Sequence, residues 1–167
     1  MPVADPSPEA KHIRDSIVTL SQLMRLEHAN LHGNVHGGIV MKLVDEAGAL
    51  TCMRHAQHPV VTVAMDNMSF RHPIQIGDLV TLTSRLTYVG RTSMEVRVEV
   101  EAENPLTGNR IHTNTAHLVY VALDSAGRPV PVPMLLLETP EEQREFAEAE
   151  ARQDQRRAQR PAAGATE

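Results

Sequence analysis

The sequence is poor in aromatic residues and cysteine, and it carries no excess of positive charge. It contains no Trp, two Phe and two Tyr, and its formal net charge is −5. It therefore lacks both a broad basic face and an aromatic platform for stacking bases, and we expect no nucleic-acid partner. The single cysteine, Cys52, cannot form an intrachain disulfide or build a metal site from several thiolates. Stability should come from packing, in a reducing compartment.

Long apolar runs are also missing. No run of about 18 apolar residues is present, so no insertion into a membrane is expected. The start of the chain lacks the basic and apolar regions of a secretion signal, and we expect a cytoplasmic protein. A chain of 167 residues with 41% apolar content is long enough for one compact domain.

The hydrophobic pattern predicts one strand, one long helix and four further strands. Residues 16–26 favour a strand, and apolar side chains at helical spacing predict a helix from Gly37 to His55. This helix is apolar almost all round, so other elements must wrap it. The later strands are predicted at residues 60–65, 79–89, 93–102 and 111–123, and alternation over residues 94–101 indicates one wet face. The predicted fold class is α+β, an antiparallel sheet curled around a central helix.

The two ends of the chain differ in composition from the middle. Residues 1–12 are rich in proline and poor in large apolar groups, which predicts a flexible arm. Residues 13–137 form the predicted domain. Residues 138–167 are dense in Glu, Gln, Ala and Arg without a strong apolar stripe, which predicts a charged, solvated helix and a disordered tail.

A glycine-rich segment, Gly33-Asn34-Val35-His36-Gly37-Gly38, precedes the predicted helix. Glycines permit close backbone approach, and the unpaired amides of the first helical turn carry the positive end of the helix dipole. The Gly37 and Gly38 amides would therefore stabilise a developing oxyanion, with the polar Asn34 beside them. The alternative is a loop whose glycines serve tight packing of helix against sheet.

Asp45 places a carboxylate in the middle of an otherwise apolar helix. Such a group carries a desolvation cost unless it is paired or exposed, so a general base or nucleophile acting on a carbonyl is one interpretation. The alternative is a surface aspartate paired with Lys42. Asp45 lies two turns beyond Gly37, roughly 12 Å along the helix at about 1.5 Å per residue. If both act on one carbonyl, the carboxylate must come from a second copy across a two-fold axis.

The turn Gly90-Arg91-Thr92-Ser93 joins two predicted strands. Arg91, Thr92 and Ser93 offer a guanidinium, two hydroxyls and turn amides to a phosphate group. The alternative is an ordinary polar hairpin.

The histidines and the cysteine offer two weaker sites. His28, His32 and His36 fall at helical spacing, but Gly33 interrupts any helix there and no carboxylate cluster completes a zinc site. Cys52 has no basic or helix-start neighbour to lower its pKa, so it is expected in the core and not as a nucleophile beside His55. We expect no metal and no cofactor.

Taken in order, these segments resemble the acyl-CoA thioesterases of the brain acyl-CoA hydrolase type and their YciA-like bacterial relatives. No single motif is specific, whereas the ordered set from about residue 20 to about residue 150 is. The matching segments are Asn30, residues 33–38, residues 45–49, Arg54-His55, residues 61–63, Phe70, Pro73, Gly77-Asp78, residues 90–96, residues 120–123 and residues 131–133.

The resemblance implies a hotdog fold, a dimer with a continuous sheet across its interface and, commonly, a trimer of such dimers. It also implies a site where Asn34 of one half faces Asp45 of the other, with Arg91, Thr92 and Ser93 near the CoA phosphates. The implied activity is hydrolysis of fatty acyl-CoA to free fatty acid and CoA. Animal members fuse two such domains, so with one domain in this sequence a homodimer would supply the partner.

Two rival functions stay open on the sequence alone. The same fold can hold acyl-CoA without cleaving it, as a sensor, or add water to an enoyl-CoA, as a hydratase.

Overall fold

The computed structural model of the chain describes residues 8–66 and 68–159. Residues 1–7 of the predicted flexible arm and residues 160–167, where a disordered tail is predicted, lie outside this part. Its strands and α-helices, in chain order, are β1 (Lys11–His12), β2 (Val18–Leu23), α1 (Gly37–Ala56), β3 (Val60–Met65), β4 (Leu79–Val89), β5 (Ser93–Glu103), β6 (Arg110–Ala122), β7 (Leu135–Leu136) and α2 (Pro140–Gln159).

Five strands form one antiparallel sheet in the order β2-β4-β5-β6-β3, and α1 packs against it. The predicted α+β class and the wrapped central helix are therefore confirmed, and this is the arrangement of a hotdog fold. The strand β3 forms one edge of the sheet, next to β6.

The side of α1 that faces the sheet is buried. Val44, Ala47 and Cys52 have no exposed surface and pack in one core with strand residues such as Leu82 and Val98. Burial of this kind contributes roughly 1.5–3 kcal/mol for each large aliphatic side chain. The packing of α1 against the sheet therefore fixes where both ends of the helix lie.

The start of the domain differs from the prediction. The first strand, predicted over residues 16–26, spans only Val18–Leu23. Ser16 instead ends a 3₁₀ turn over residues 13–16, in which Ile13 and Ser16 are buried. Lys11 and His12, predicted in a flexible arm, pair in parallel with Leu135 and Leu136.

The helix α2 is a helix as predicted, but it is not simply solvated. It packs against β4, Ala149 is fully buried, and the Phe146 ring lies 5.0 Å from the Tyr88 ring. It covers part of the sheet face that the alternation in β5 predicts to be wet. That prediction is wrong at Glu95, which has no exposed surface.

Glu95 is buried because α2 supplies donors to both of its carboxylate oxygens. Arg152 Nη2 donates to Oε1 at 2.8 Å, and Arg156 Nη1 donates to Oε2 at 2.9 Å. Gln153 Nε2 and the Thr87 hydroxyl add bonds of 3.0 and 2.9 Å. A buried carboxylate needs such partners to offset its desolvation. The network therefore attaches α2 to the sheet.

Replacing Glu95 by Ala should lower the free energy of unfolding by about 3 kcal/mol, because Arg152 and Arg156 lose their buried counter-charge. Glu101→Ala, on the exposed part of the same strand, is the matched control and should change stability by less than about 0.5 kcal/mol. Urea unfolding of the two variants at equal protein concentration measures the difference. Equal stabilities would contradict the assigned role of Glu95.

Candidate active site

The glycine-rich loop is a tight turn that delivers Asn34 to the start of α1. Asn30 Oδ1 accepts hydrogen bonds from the His32 and Asn34 N–H groups at 2.8 and 3.2 Å, and Gly33 takes a left-handed φ of 80°. Asn34 is half-buried, and its side-chain amide makes no hydrogen bond with any residue that the structure describes. Its donor and acceptor are therefore both open to a ligand.

The first turn of α1 differs from the prediction in one respect. Gly38 N–H donates to His36 Nδ1 at 2.9 Å, so the His36 imidazole caps the helix. Gly37 N–H has no partner within residues 8–66 and 68–159. Of the two amides predicted to face an oxyanion, Gly37 is free and Gly38 is occupied by His36. No clear sequence signal marks this cap, because His is not among the residues preferred at that position.

Asp45 is held by two hydroxyl groups of the sheet. Thr62 Oγ1 donates to Asp45 Oδ1 at 2.7 Å. The Tyr120 hydroxyl lies 3.0 Å from the same oxygen and 2.9 Å from the Asp45 carbonyl oxygen. Lys42 instead pairs with Glu46 at 3.5 Å, so the alternative of a Lys42–Asp45 ion pair is wrong. The described residues leave Oδ2 without a hydrogen bond, and this oxygen is free to accept a proton.

The Tyr120 phenol keeps its proton because of its surroundings. Burial raises the pKa of Tyr120 above its ordinary value, and the negative charge of Asp45 and the hydrogen bond to it raise that pKa further. A protonated phenol donates to the carboxylate and fixes its orientation. Neither Tyr120 nor Thr62 was predicted as a site residue. In the sequence, each is marked only by a hydroxyl group within a strand that is otherwise rich in apolar residues.

Gly48 makes room for this contact. A Cβ atom on Gly48 would lie 2.5 Å from the Tyr120 hydroxyl oxygen and 3.0 Å from two atoms of its ring. Real side chains do not approach so closely. The absence of a side chain at Gly48 therefore allows Tyr120 to reach Asp45 across the interface between α1 and β6.

The helix surface that carries Asp45 is apolar and uncovered. Met41, Asp45, Ala49 and Met53 follow one another at intervals of four residues on one face of α1. Met41 is 42% exposed and Met53 is 37% exposed. The edge strand β3, which supplies Thr62, also leaves its Val61 and Val63 side chains exposed. Exposed apolar surface beside an unpaired sheet edge is typical of a protein interface.

The turn of Arg91, Thr92 and Ser93 lies at the same end of the sheet as Asp45. Ser93 pairs with Val121, the neighbour of Tyr120, and Gly90 N–H closes the turn on Ser93 O at 2.8 Å. Arg91 is exposed. Thr92 and Ser93 line a cleft of about 250 Å³ that α2 also borders, and its other lining residues include Gln153, Arg156 and Arg157. The structure therefore groups this turn with Asp45 in the middle of α1, whereas Asn34 and Gly37 lie at the start of the helix.

Cys52 is a core residue as predicted. It has no exposed surface, and burial raises the pKa of its thiol well above the ordinary range. Its neighbour His55 is also buried, and its Nε2 contacts Pro133 O at 2.7 Å. Among the described residues, no three His, Cys, Asp or Glu side chains converge as a metal site would require. No helix in the same residues is long and apolar enough to span a membrane.

Comparison with known proteins relates this geometry to one family. Residues 32–108 match the family model of the thioesterase superfamily. The uncharacterized acyl-CoA thioester hydrolase YkhA of Bacillus subtilis is 40% identical over 137 residues, covering 81% of this chain and 79% of that protein. The crystal structure of an apo-hexameric acyl-CoA thioesterase is similar with a TM-score of 0.85 and 37% identity, covering 90% of this chain and 97% of that chain.

A mammalian relative is longer. The cytosolic acyl coenzyme A thioester hydrolase of Mus musculus is 36% identical over 162 residues, which cover 95% of this chain and 42% of that protein. The chain therefore spans about two fifths of the length of this relative.

Replacing Gly48 by Ala should destabilise the protein by about 1–2 kcal/mol, because overpacking against Tyr120 outweighs the better helix propensity of Ala. Tyr120→Phe removes the atom at 2.5 Å, so the cost of Gly48→Ala should be smaller in that background. Thermal or urea unfolding of the wild type, the two single variants and the double variant measures the cost of Gly48→Ala in both backgrounds. Equal costs in both backgrounds would show that the phenol and Gly48 are not in contact.

Proposed function

This chain belongs to the thioesterase superfamily, and we propose that it hydrolyses fatty acyl-CoA to a free fatty acid and CoA at a site shared by two subunits. The observation that carries the proposal is the Asp45 carboxylate, oriented by Thr62 and Tyr120 on an uncovered apolar face. The names of the bacterial relative and of the similar solved thioesterase support the substrate class.

A second subunit is needed because the two halves of the site lie apart on one helix. Asp45 lies roughly 12 Å along α1 from the free Gly37 amide, at about 1.5 Å per residue. A two-fold axis beside α1 and β3 would bring Asp45 of one copy to Asn34 of the other, and would cover Met41, Met53 and the edge of β3. We propose a homodimer with a sheet continuous through β3.

A larger assembly is part of the same proposal. One similar solved thioesterase is hexameric, which supports a trimer of dimers for this chain. A cytoplasmic location is likewise a proposal, supported by the name of the cytosolic mouse relative.

In the proposed reaction the thioester carbonyl points at the Gly37 N–H, and the Asn34 amide holds the carbonyl or the water. Asp45 Oδ2 of the other subunit takes a proton from water as the oxygen attacks the carbonyl carbon. The tetrahedral intermediate then collapses, the C–S bond breaks, and CoA leaves as a thiol that takes up the proton held by Asp45. Direct attack by Asp45 would form an anhydride that water then cleaves. The Gly38 N–H joins the oxyanion site only if His36 turns away.

The CoA moiety would bind along the Arg91, Thr92 and Ser93 turn. A guanidinium and two hydroxyls suit phosphate oxygens, and Arg157 of α2 borders the same cleft. Arg156 is less available there, since Asp66 and Glu95 already engage its guanidinium. No step of the proposed reaction requires a metal or a cofactor.

Two rival functions are separated by one assay. A non-catalytic acyl-CoA sensor would bind palmitoyl-CoA without releasing a thiol, whereas a thioesterase releases CoA that reacts with a chromogenic disulfide. An enoyl-CoA hydratase would add water to an enoyl-CoA and release no thiol. The family relationship and the oriented carboxylate favour hydrolysis.

Replacing Asp45 by Ala, or Asn34 by Ala, should lower kcat for palmitoyl-CoA by roughly a hundredfold or more, through loss of a base or an oxyanion-type donor. Glu46→Ala is the matched control, since Glu46 is the exposed neighbour of Asp45 and, among the described residues, pairs only with Lys42. It should keep kcat within about twofold, as expected for an exposed pair. Thiol release measures the turnover of all three variants, and circular dichroism checks that each variant is folded. Wild-type turnover in folded Asp45→Ala protein would contradict the proposal.

A further inference from the structure

A cleft of about 400 Å³ lies between residues 69–72 and the first half of β6, outside the proposed catalytic groups. No carboxylate is among its lining side chains. The polar groups that line it are mainly hydrogen-bond donors and imidazoles, on Ser69, Arg71, His72, His112, Asn114 and Thr115.

Asn114 is the most deeply buried of these groups. It is 3% exposed, and its Nδ2 is buried without a hydrogen-bond partner among the described residues. Asn114 pairs in the sheet with the core residue Val100, so its position is fixed by the strand register. Buried amide groups are rarely left without a partner, and one that lines a cleft points to a missing acceptor.

Arg71 adds a permanent positive charge at the rim of the cleft. Within residues 8–66 and 68–159 its guanidinium forms neither an ion pair nor a hydrogen bond, unlike Arg85 or Arg97, which both contact Glu145. Asp78 borders an adjoining cleft, where its carboxylate accepts the Gln75 N–H at 2.9 Å. The balance of the lining is therefore positive and rich in donors.

We propose that this cleft is a second anion site that binds a phosphate or phosphate monoester group. A guanidinium, a buried amide N–H and hydroxyl groups are the donors that recognise such an anion. The site is distinct from the Arg91, Thr92 and Ser93 turn of the same subunit. Val100, the partner of Asn114, lies seven residue steps along β5 from Ser93, which is roughly 24 Å at about 3.4 Å per residue.

The phosphate can come from one of two sources. It is either a phosphate of CoA that is bound mainly by a neighbouring subunit, or a phosphate-bearing molecule that is not the substrate. In both cases the loop that carries Arg71 also carries Phe70, whose ring lies 3.5 Å from where a Cβ on Gly37 would be. The anion would therefore bind beside the loop that packs on the start of α1.

Isothermal titration of the folded protein with inorganic phosphate, at constant ionic strength set with chloride, tests the site. We expect saturable binding that weakens roughly tenfold or more in Arg71→Gln, because a charge-assisted contact is lost. Asn114→Leu should weaken it as well. Arg144→Gln, which changes an exposed arginine of α2, is the matched control and should bind as the wild type does. Equal binding by wild type and Arg71→Gln, or no saturable binding by wild type, overturns the proposal.

The source is then decided by kinetics, if the chain hydrolyses acyl-CoA. A KM raised by Arg71→Gln for acyl-CoA but not for the same acyl group on pantetheine assigns the site to CoA, and an unchanged KM for both assigns it to a separate ligand. The kinetic comparison assigns the source only once the titration has shown phosphate binding that depends on Arg71. Because the titration needs no turnover, a protein without thioesterase activity would still test the anion site.

Discussion

The contact between Asp45 and the hydroxyls of Thr62 and Tyr120 is the interaction from which the proposed site is built. It attaches the middle of α1 to the strands β3 and β6, and it turns a carboxylate that would be costly to bury into one with a fixed orientation. Gly48 allows the contact, and burial keeps the Tyr120 phenol protonated by raising its pKa. One oxygen is held, and the other has no hydrogen bond with any residue that the structure describes.

The start and the middle of α1 therefore have different chemical roles. The start of the helix offers a free Gly37 amide beside Asn34, and the face two turns later offers Asp45 among methionines. The sheet packs along α1 between these two points, so one subunit cannot bring them together. The same distance that separates the groups in one chain makes an antiparallel pair of helices a suitable frame for a shared site. The proposed dimer follows from this geometry and from the exposed edge of β3.

The sequence predicted the features that depend on local patterns. Apolar spacing located α1, alternation located the strands of the sheet, and helix geometry separated Asp45 from Gly37. The contacts that it missed join distant parts of the chain: Tyr120 reaches Asp45 across 75 residues, and Arg156 reaches Glu95 across 61. A charged residue on an alternating strand indicates a wet face, and only the docked α2 shows that Glu95 is covered. The His36 cap was missed because an imidazole rarely takes that role.

The most direct test of the shared site mixes two inactive chains. Asn34→Ala and Asp45→Ala proteins are unfolded, mixed and refolded together, and mixed dimers are quantified by two different affinity tags. Each mixed dimer holds one intact pair of Asn34 and Asp45, so thiol release from palmitoyl-CoA should return to roughly half the wild-type value per mixed dimer. Mixed dimers that form and stay inactive, beside wild-type protein that refolds to full activity, would contradict a site built by two subunits.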